Sequence, residues 1–163
     1  SVPVPVGRPL TMAVNDRRPS FSLRESHLGV VDAEDKQPIE PGWIYLAPAN
    51  YHRLVELGAF SLSVDAAVAY SRPSIDVLFE SAADAYREGV AGVVLTGANA
   101  DGARGAQRIK RRWGMVIIPD AATAEAPAMP QEVTDSSRVS RLLPRHRLGT
   151  ILGSVLPDYC DLP

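Results

Sequence analysis

One loop in the chain has residue types and a position that suit chemistry. In LTGANADGARG, residues 95–105, an apolar run ends in glycines and a lone carboxylate, Asp101, just ahead of a helix-forming stretch. A glycine-rich turn before a helix can cradle phosphate, but a P-loop needs Lys and then Ser or Thr directly after its second glycine. Here Gly102 is followed by Ala103 and Arg104, so the residues that would hold phosphate and magnesium are missing. The dinucleotide fingerprint needs glycines at its first, third and sixth positions, a spacing that Gly97, Gly102 and Gly105 do not have. What remains is Asp101 in a tight turn near a helix N-terminus, where backbone N–H groups favour a carboxylate that stays ionised. Such an acid can orient the histidine of a Ser-His-Asp triad. The same residues fit an ordinary Asp-Gly turn or a helix cap, and local sequence leaves both readings open.

Partners for that acid are scarce. Ser26 and His27 are adjacent. Neighbouring side chains face opposite ways on a strand and lie far round the axis on a helix, which argues against a nucleophile–base pair. His52 sits at a hairpin entry and His146 in the basic turn PRHR, and both read as surface or packing residues. Cys160 is the single cysteine and cannot form an internal disulfide, and no Cys/His cluster has the spacing of a zinc site. No cofactor and no metal are expected.

The elements that must position Asp101 follow from hydrophobic periodicity. VAGVVLTG reads as a strand too apolar to have one wet face, as expected of a central parallel strand ending at the glycine loop. A helix over about 103–112 follows, and MVIIP is a second buried-type strand, which completes a strand–helix–strand unit. Upstream, SRPSIDVLFESAADAYREG places Ile75, Leu78, Phe79, Ala82 and Tyr86 at helical spacing, with Ser71 or Ser74 as cap and Gly89 as stop. HRLVELGAFSLSV gives two alternating runs about Leu57-Gly58, a β-hairpin signature, and GWIYLAP is a compact strand around 43–47 that Pro48 closes. In residues 1–40 prolines interrupt the pattern, leaving 10–14 and 28–31 as short strands. After 119 the pattern gives a short helix begun at Pro130, a strand near 139–143 and a terminal helix over about 148–156. The expected fold is α/β: a doubly wound, mainly parallel sheet with helices on both faces and an antiparallel β-hairpin. In such sheets function gathers at the C-terminal ends of central strands, which is where Asp101 lies.

Composition narrows the classes. At 163 residues, with 45% apolar and 22% charged, the chain suits one compact domain and not a disordered or fibrous design. A formal net charge of -2 provides no overall field toward nucleic acid or an anionic membrane. No run is long enough to cross a bilayer, and the start SVPVPVGRPL lacks the basic end and long apolar core of a secretory signal, so a reducing cytoplasm is expected. Arg104, Arg108, Lys110, Arg111 and Arg112 make the helix after Asp101 basic: either a solvated face favoured by the helix dipole or a dock for an acidic partner. Trp113, at the end of that helix, is expected in the core or capping the sheet edge.

YLAPANYH (45–52), SRPSIDVLFES (71–81), VVLTGANADGARG (93–105) and AEAPAMPQE (124–132) occur in the order and approximate spacing of matching segments in CheB methylesterase domains. Together they span 41–132, and the combination is far more specific than any one segment; residues 1–40 match the family poorly. The chain thus resembles the C-terminal effector domain of chemotaxis protein-glutamate methylesterases. The resemblance implies a doubly wound α/β sheet bearing a Ser-His-Asp triad that hydrolyses glutamate methyl esters on chemoreceptors and often deamidates receptor glutamines. Residue by residue, Asp101 matches the triad acid, and a methyl-accepting chemoreceptor or similar acidic protein is the implied partner. The whole of 1–163 is read as one such domain without a receiver domain, so phosphorylation control would come from another chain.

The chain departs from the family at the other two triad positions. The family's serine lies in a G-x-S-x-GG type turn after the first strand, beside oxyanion-stabilising N–H groups, and no such motif occurs in these residues. The stretch LTMAVNDRRPS (10–20) corresponds to the strand that ends in the family's histidine and puts Asn15 or Asp16 near that position. Neither shuttles a proton at neutral pH as imidazole does. In a comparable hydrolase, losing serine or histidine costs roughly 10⁶ in turnover. The sequence therefore carries the acid of a methylesterase site without an identifiable nucleophile or base, and a non-catalytic binding or regulatory module of the same fold is the alternative.

Overall fold

The structure, a computed structural model, describes residues 12–14, 29–93, 101–119 and 141–143, with side chains placed at 29–93 and 101–117. In chain order the elements are β1 (Met12–Val14), β2 (Gly29–Asp32), β3 (Trp43–Leu46), β4 (His52–Glu56), β5 (Ala59–Ser63), α1 (Ile75–Tyr86), β6 (Ala91–Val93), α2 (Ala103–Arg111), β7 (Met115–Pro119) and β8 (Arg141–Leu143). The fold is α/β with mainly parallel pairing, as the alternation of apolar runs and amphipathic stretches predicts. The predicted helices at 130 and 148–156 lie outside the described residues.

Two parallel ladders and one hairpin make up the strands. In the first ladder β3 lies between β1 and β2, with Ile44 opposite Met12 on one side and Val30 on the other. In the second, β7 lies between β6 and β8, with Val116 opposite Gly92 and Ile117 opposite both Val93 and Arg141. The strand expected to be central, β6, thus stands at the end of its ladder among the described residues, and β7 is in the middle. The register of β7 explains its run of β-branched residues, since a parallel strand bonded on both edges and covered on its faces has no wet side. Val116 and Ile117 are fully buried. β4 and β5 pair antiparallel about Leu57-Gly58, with Gly58 at φ 82 taking the left-handed turn position that glycine occupies without strain.

The hairpin is fastened to α1 from two points. Val55 N–H donates to Ser81 Oγ at 3.0 Å, and Gly58 N–H donates to the Tyr86 hydroxyl at 2.8 Å. Beneath it Tyr45 and Phe60 meet with ring centroids 4.7 Å apart. Arg53 is buried there, its guanidinium donating to the Tyr45 carbonyl at 2.7 Å and lying 5.3 Å from the Phe60 ring centroid. Burial pulls that guanidinium down to about 10, still well above neutral pH. His52, read from sequence as a surface or packing residue, is a packing residue: it is buried and its Nε2 donates to the Ala66 carbonyl at 3.0 Å.

α1 and α2 share the larger core. Leu78, Phe79 and Ala83 of α1 pack with Ala103, Ala106 and Ile109 of α2 and with Val116 of β7. Each large apolar side chain fully covered here contributes about 1.5–3 kcal/mol relative to exposure. Small residues on α2 permit the close approach. A Cβ on Gly105 would stand 2.5 Å from the Phe79 Cβ and 3.1 Å from the Asp76 Cα, so only glycine fits against α1 there. Trp113 corrects an expectation: it is 86% exposed, in a left-handed turn at φ 68 just past α2, and neither enters the core nor caps the sheet.

Candidate functional site

Asp101 and Gly102 form the turn into α2. Gly102 is the N-cap residue at φ 104, a conformation that disfavours side chains, and it leaves the helix without a side-chain cap of its own. The first helical N–H groups therefore need acceptors from elsewhere. They find one on the neighbouring helix: Asp76 Oδ1 accepts from Gly102 N–H at 3.0 Å and from Gly105 N–H at 2.7 Å.

The exchange is mutual. α1 begins at Ser74, whose extended backbone makes it the N-cap and whose Oγ accepts from Val77 N–H at 3.5 Å. Of the two sequence candidates for this cap, Ser71 and Ser74, the structure selects Ser74. Its hydroxyl donates to Asp101 Oδ1 at 2.7 Å. Asp101 Oδ1 also accepts from Asp76 N–H at 3.0 Å, and Oδ2 accepts from Ile75 N–H at 2.8 Å. Asp101 is only 2% exposed. The sequence placed this acid at the N-terminus of its own helix. The structure keeps it there, in the turn into α2, and adds that it accepts from Ile75 and Asp76 N–H at the start of α1, a helix that begins more than twenty residues earlier.

Such crossing is possible because the two helices run parallel. Asp76 meets the start of α2, Arg104 pairs with Glu80 at 3.1 Å, and farther along Arg108 and Arg112 each reach Asp84 at 2.8 Å. Both N-termini therefore lie at one end, the end that bears Asp101. The arrangement also revises the basic stripe on α2, since three of its five cations are matched by acids of α1. The hydrogen bond from Arg108 leads the effects that hold the exposed Asp84 carboxyl below its ordinary value, with Arg112 adding to it. The Glu80 hydrogen bond and charge raise Arg104.

Asp76 is the residue that sequence reasoning missed. An acid in the first turn of a helix is common for dipole reasons, so Asp76 within SRPSIDVLF carries no signal of a partner on another element. Its carboxyl is raised above the ordinary 3.8, chiefly by burial and further by the charge of Asp101, while the Gly105 and Gly102 amides and Arg104 oppose the rise. Arg104 Nε lies 4.0 Å from Asp76 Oδ2.

The pair of carboxylates has the character of a fixed acceptor. Asp101 is desolvated, and the groups facing it from Ser74, Ile75 and Asp76 are donors, which is the setting an acceptor-only carboxylate requires. A buried acid held in one orientation can align an imidazole N–H. The other sequence candidates, Asn15, Asp16, Ser26, His27, His146 and Cys160, lie outside the described residues. No helix among the described residues is long and apolar enough to cross a membrane.

Comparison with known proteins places the chain in a family. The family model described as CheB methylesterase matches residues 16–152. The chain is 40% identical over 126 residues to a putative protein-glutamate methylesterase/protein-glutamine glutaminase of Leptospira interrogans, covering 77% of this chain and 65% of that protein. It is 40% identical over 134 residues to protein-glutamate methylesterase/protein-glutamine glutaminase 2 of Caulobacter vibrioides, covering 79% of this chain and 39% of that protein. Protein-glutamate methylesterase FrzG of Myxococcus xanthus is 36% identical over 129 residues, covering 78% of this chain and 39% of that protein. The chain thus spans less than two thirds of the length of these curated relatives. The crystal structure of the Thermotoga maritima CheB methylesterase catalytic domain superposes with a TM-score of 0.77 at 28% identity, covering 90% of this chain and 83% of that one.

Proposed function

The chain belongs to the CheB methylesterase family, and from that premise we propose that it forms the acid-bearing part of a protein-glutamate methylesterase site acting on receptors of chemotaxis-type signalling. The observation that carries the proposal is the buried Asp101 carboxylate, held by Ser74, Ile75 and Asp76 where two parallel helices begin. In this role Asp101 accepts the N–H of a histidine and keeps its other ring nitrogen turned toward a serine hydroxyl. The histidine takes the serine proton as the oxygen attacks the glutamyl ester carbonyl, then returns it to the departing methoxide, which leaves as methanol. Water, activated by the same histidine, releases the glutamate carboxylate. The serine and the histidine are not identifiable in the 163 residues, so the acid is the triad member assigned to this chain.

The proposed partner is a methyl-accepting receptor or a similarly acidic protein, and the proposed compartment is the cytoplasm. Residues 1–163 are proposed to lie within a single methylesterase-type domain. The relatives' names also carry protein-glutamine glutaminase, which makes receptor glutamine amides a second substrate to assay.

The bonds to Asp101 favour one other reading. Two of the three, from Ile75 and Asp76 N–H, also cap α1, so the same geometry suits a non-catalytic module in which Asp101 is structural. Methanol release from a methylated receptor fragment separates the two, using the protein expressed from its complete reading frame with Asp101 intact or replaced by Ala. The esterase reading expects a rate well above background that falls by about 10⁴-fold on Asp101→Ala. Equal background rates in both proteins would leave the non-catalytic module.

A further inference from the structure

The exchange of carboxylates between α1 and α2 gives Asp76 a position that simple helix capping does not require. The Gly102 N–H that it accepts at 3.0 Å belongs to the peptide unit immediately following the Asp101 Cα. The Gly105 N–H that it accepts at 2.7 Å lies one turn further into α2, so the two bonds fix both the plane of that peptide and the start of the helix. Asp76 itself sits on the α1 segment whose N–H groups hold Asp101, and its own backbone N–H is one of them at 3.0 Å. Backbone and side chain of one residue therefore grip Asp101 from two sides.

We propose that Asp76 is a positioning residue for the triad acid: its carboxyl locks the Asp101–Gly102 peptide so that the Asp101 carboxylate keeps a single orientation toward the base. The proposal rests on the reading of Asp101 as the acid of the esterase site. Catalytic groups must be held within about 0.5 Å of the productive geometry. A misplacement of about 1 Å can cost on the order of 10²-fold in rate. Gly102 has no side chain with which to cap α2 and fix that peptide, and Asp76 provides the acceptor from the neighbouring helix. Asparagine at 76 retains an acceptor oxygen for both amides, whereas alanine leaves two buried N–H groups without one.

The test compares wild type, Asp76→Ala, Asp76→Asn and Asp101→Ala in the protein expressed from its complete reading frame. Methanol release gives kcat and KM, and hydrogen exchange of the Ile75 amide, read against that of Ala83 in the same helix, reports whether Asp101 is still in place. Asp76→Ala is expected to lower kcat by about 10²-fold with KM within about twofold, and to speed Ile75 exchange about tenfold or more relative to Ala83. Asp76→Asn is expected to bring both within about tenfold of wild type, an effect that the loss of a generic stabilising contact would not reverse. The proposal is overturned if Asp76→Ala keeps the wild-type kcat where Asp101→Ala has lost it, if Ile75 exchange is unmoved, or if asparagine rescues neither readout. Should the alanine variant fail to fold, an asparagine variant as damaged as Asp101→Ala overturns it equally. Undiminished methanol release by Asp101→Ala would instead remove the esterase reading, and the exchange ratio would still decide whether Asp76 holds Asp101.

Discussion

Asp101 and Asp76 are buried acids that face each other's helix amides, and their proximity has a cost as well as a use. The Asp76 carboxyl is raised by burial first and by its neighbour's charge as well. An acid whose value is raised by folding stabilises the fold while protonated; that contribution is complete below the unfolded value and is lost as pH rises through the folded one. The stability of wild type relative to Asp76→Asn should therefore decline as pH rises from about 3.8 through the raised value, because the variant keeps the acceptor oxygen and does not titrate. Urea unfolding of both proteins across that range checks it, and a difference that stays flat or grows with pH would contradict the burial of Asp76. Exposed acids such as Asp84 are common to both proteins and cancel in the comparison.

Among the elements, α1 and α2 decide how closely the two acids approach. Gly105 is a helix-interior glycine where alanine would ordinarily add about 1 kcal/mol of helix stability. Against this, the added Cβ meets the Phe79 Cβ and the Asp76 backbone, neither of which is the free end of a flexible side chain. Overpacking of this kind costs roughly 1–3 kcal/mol, so Gly105→Ala should lower stability on balance, by about 1 kcal/mol. Chemical denaturation measures it, and a stabilised variant would mean that the helices are looser than they stand here. The limits of both helices were legible in sequence because each has its own period and punctuation. The exception is the stop of α1, where the helix ends at Tyr86 and a 3₁₀ turn, Arg87–Gly89, carries the chain to the predicted glycine. What sequence could not reveal was the pairing between the helices. Capping rules search within a few residues, whereas Asp101 and Asp76 serve partners 25 to 29 residues away. For the same reason the basic stripe of α2 stood open between a solvated face and a dock, whereas Arg104, Arg108 and Arg112 are paired with Glu80 and Asp84 of α1.

For the molecule as a whole, the α/β plan was readable from alternation alone. The strands expected at 10–14, 28–31, 43–47 and 139–143 appear as β1, β2, β3 and β8, since short apolar runs between turn residues have few other uses. Strand order among the described residues was not readable, because β6 and β7 both lie in apolar runs and only hydrogen bonding shows β7 paired on both edges. Nor did periodicity supply the chemistry: Asp101 stood open between turn, cap and triad acid until four separated segments and the family comparisons gave it a context. The site is a buried, hydrogen-bonded acid on a methylesterase fold, and its catalytic meaning depends on a base and a nucleophile reaching it. The most direct measurement is the rate of methanol release from a receptor fragment carrying labelled glutamyl methyl esters, by the protein from its complete reading frame and by its Asp101→Asn variant. Release that the substitution lowers by about 10⁴-fold, with the fold intact, is expected. Release at the same rate by both proteins, or by neither, would contradict it.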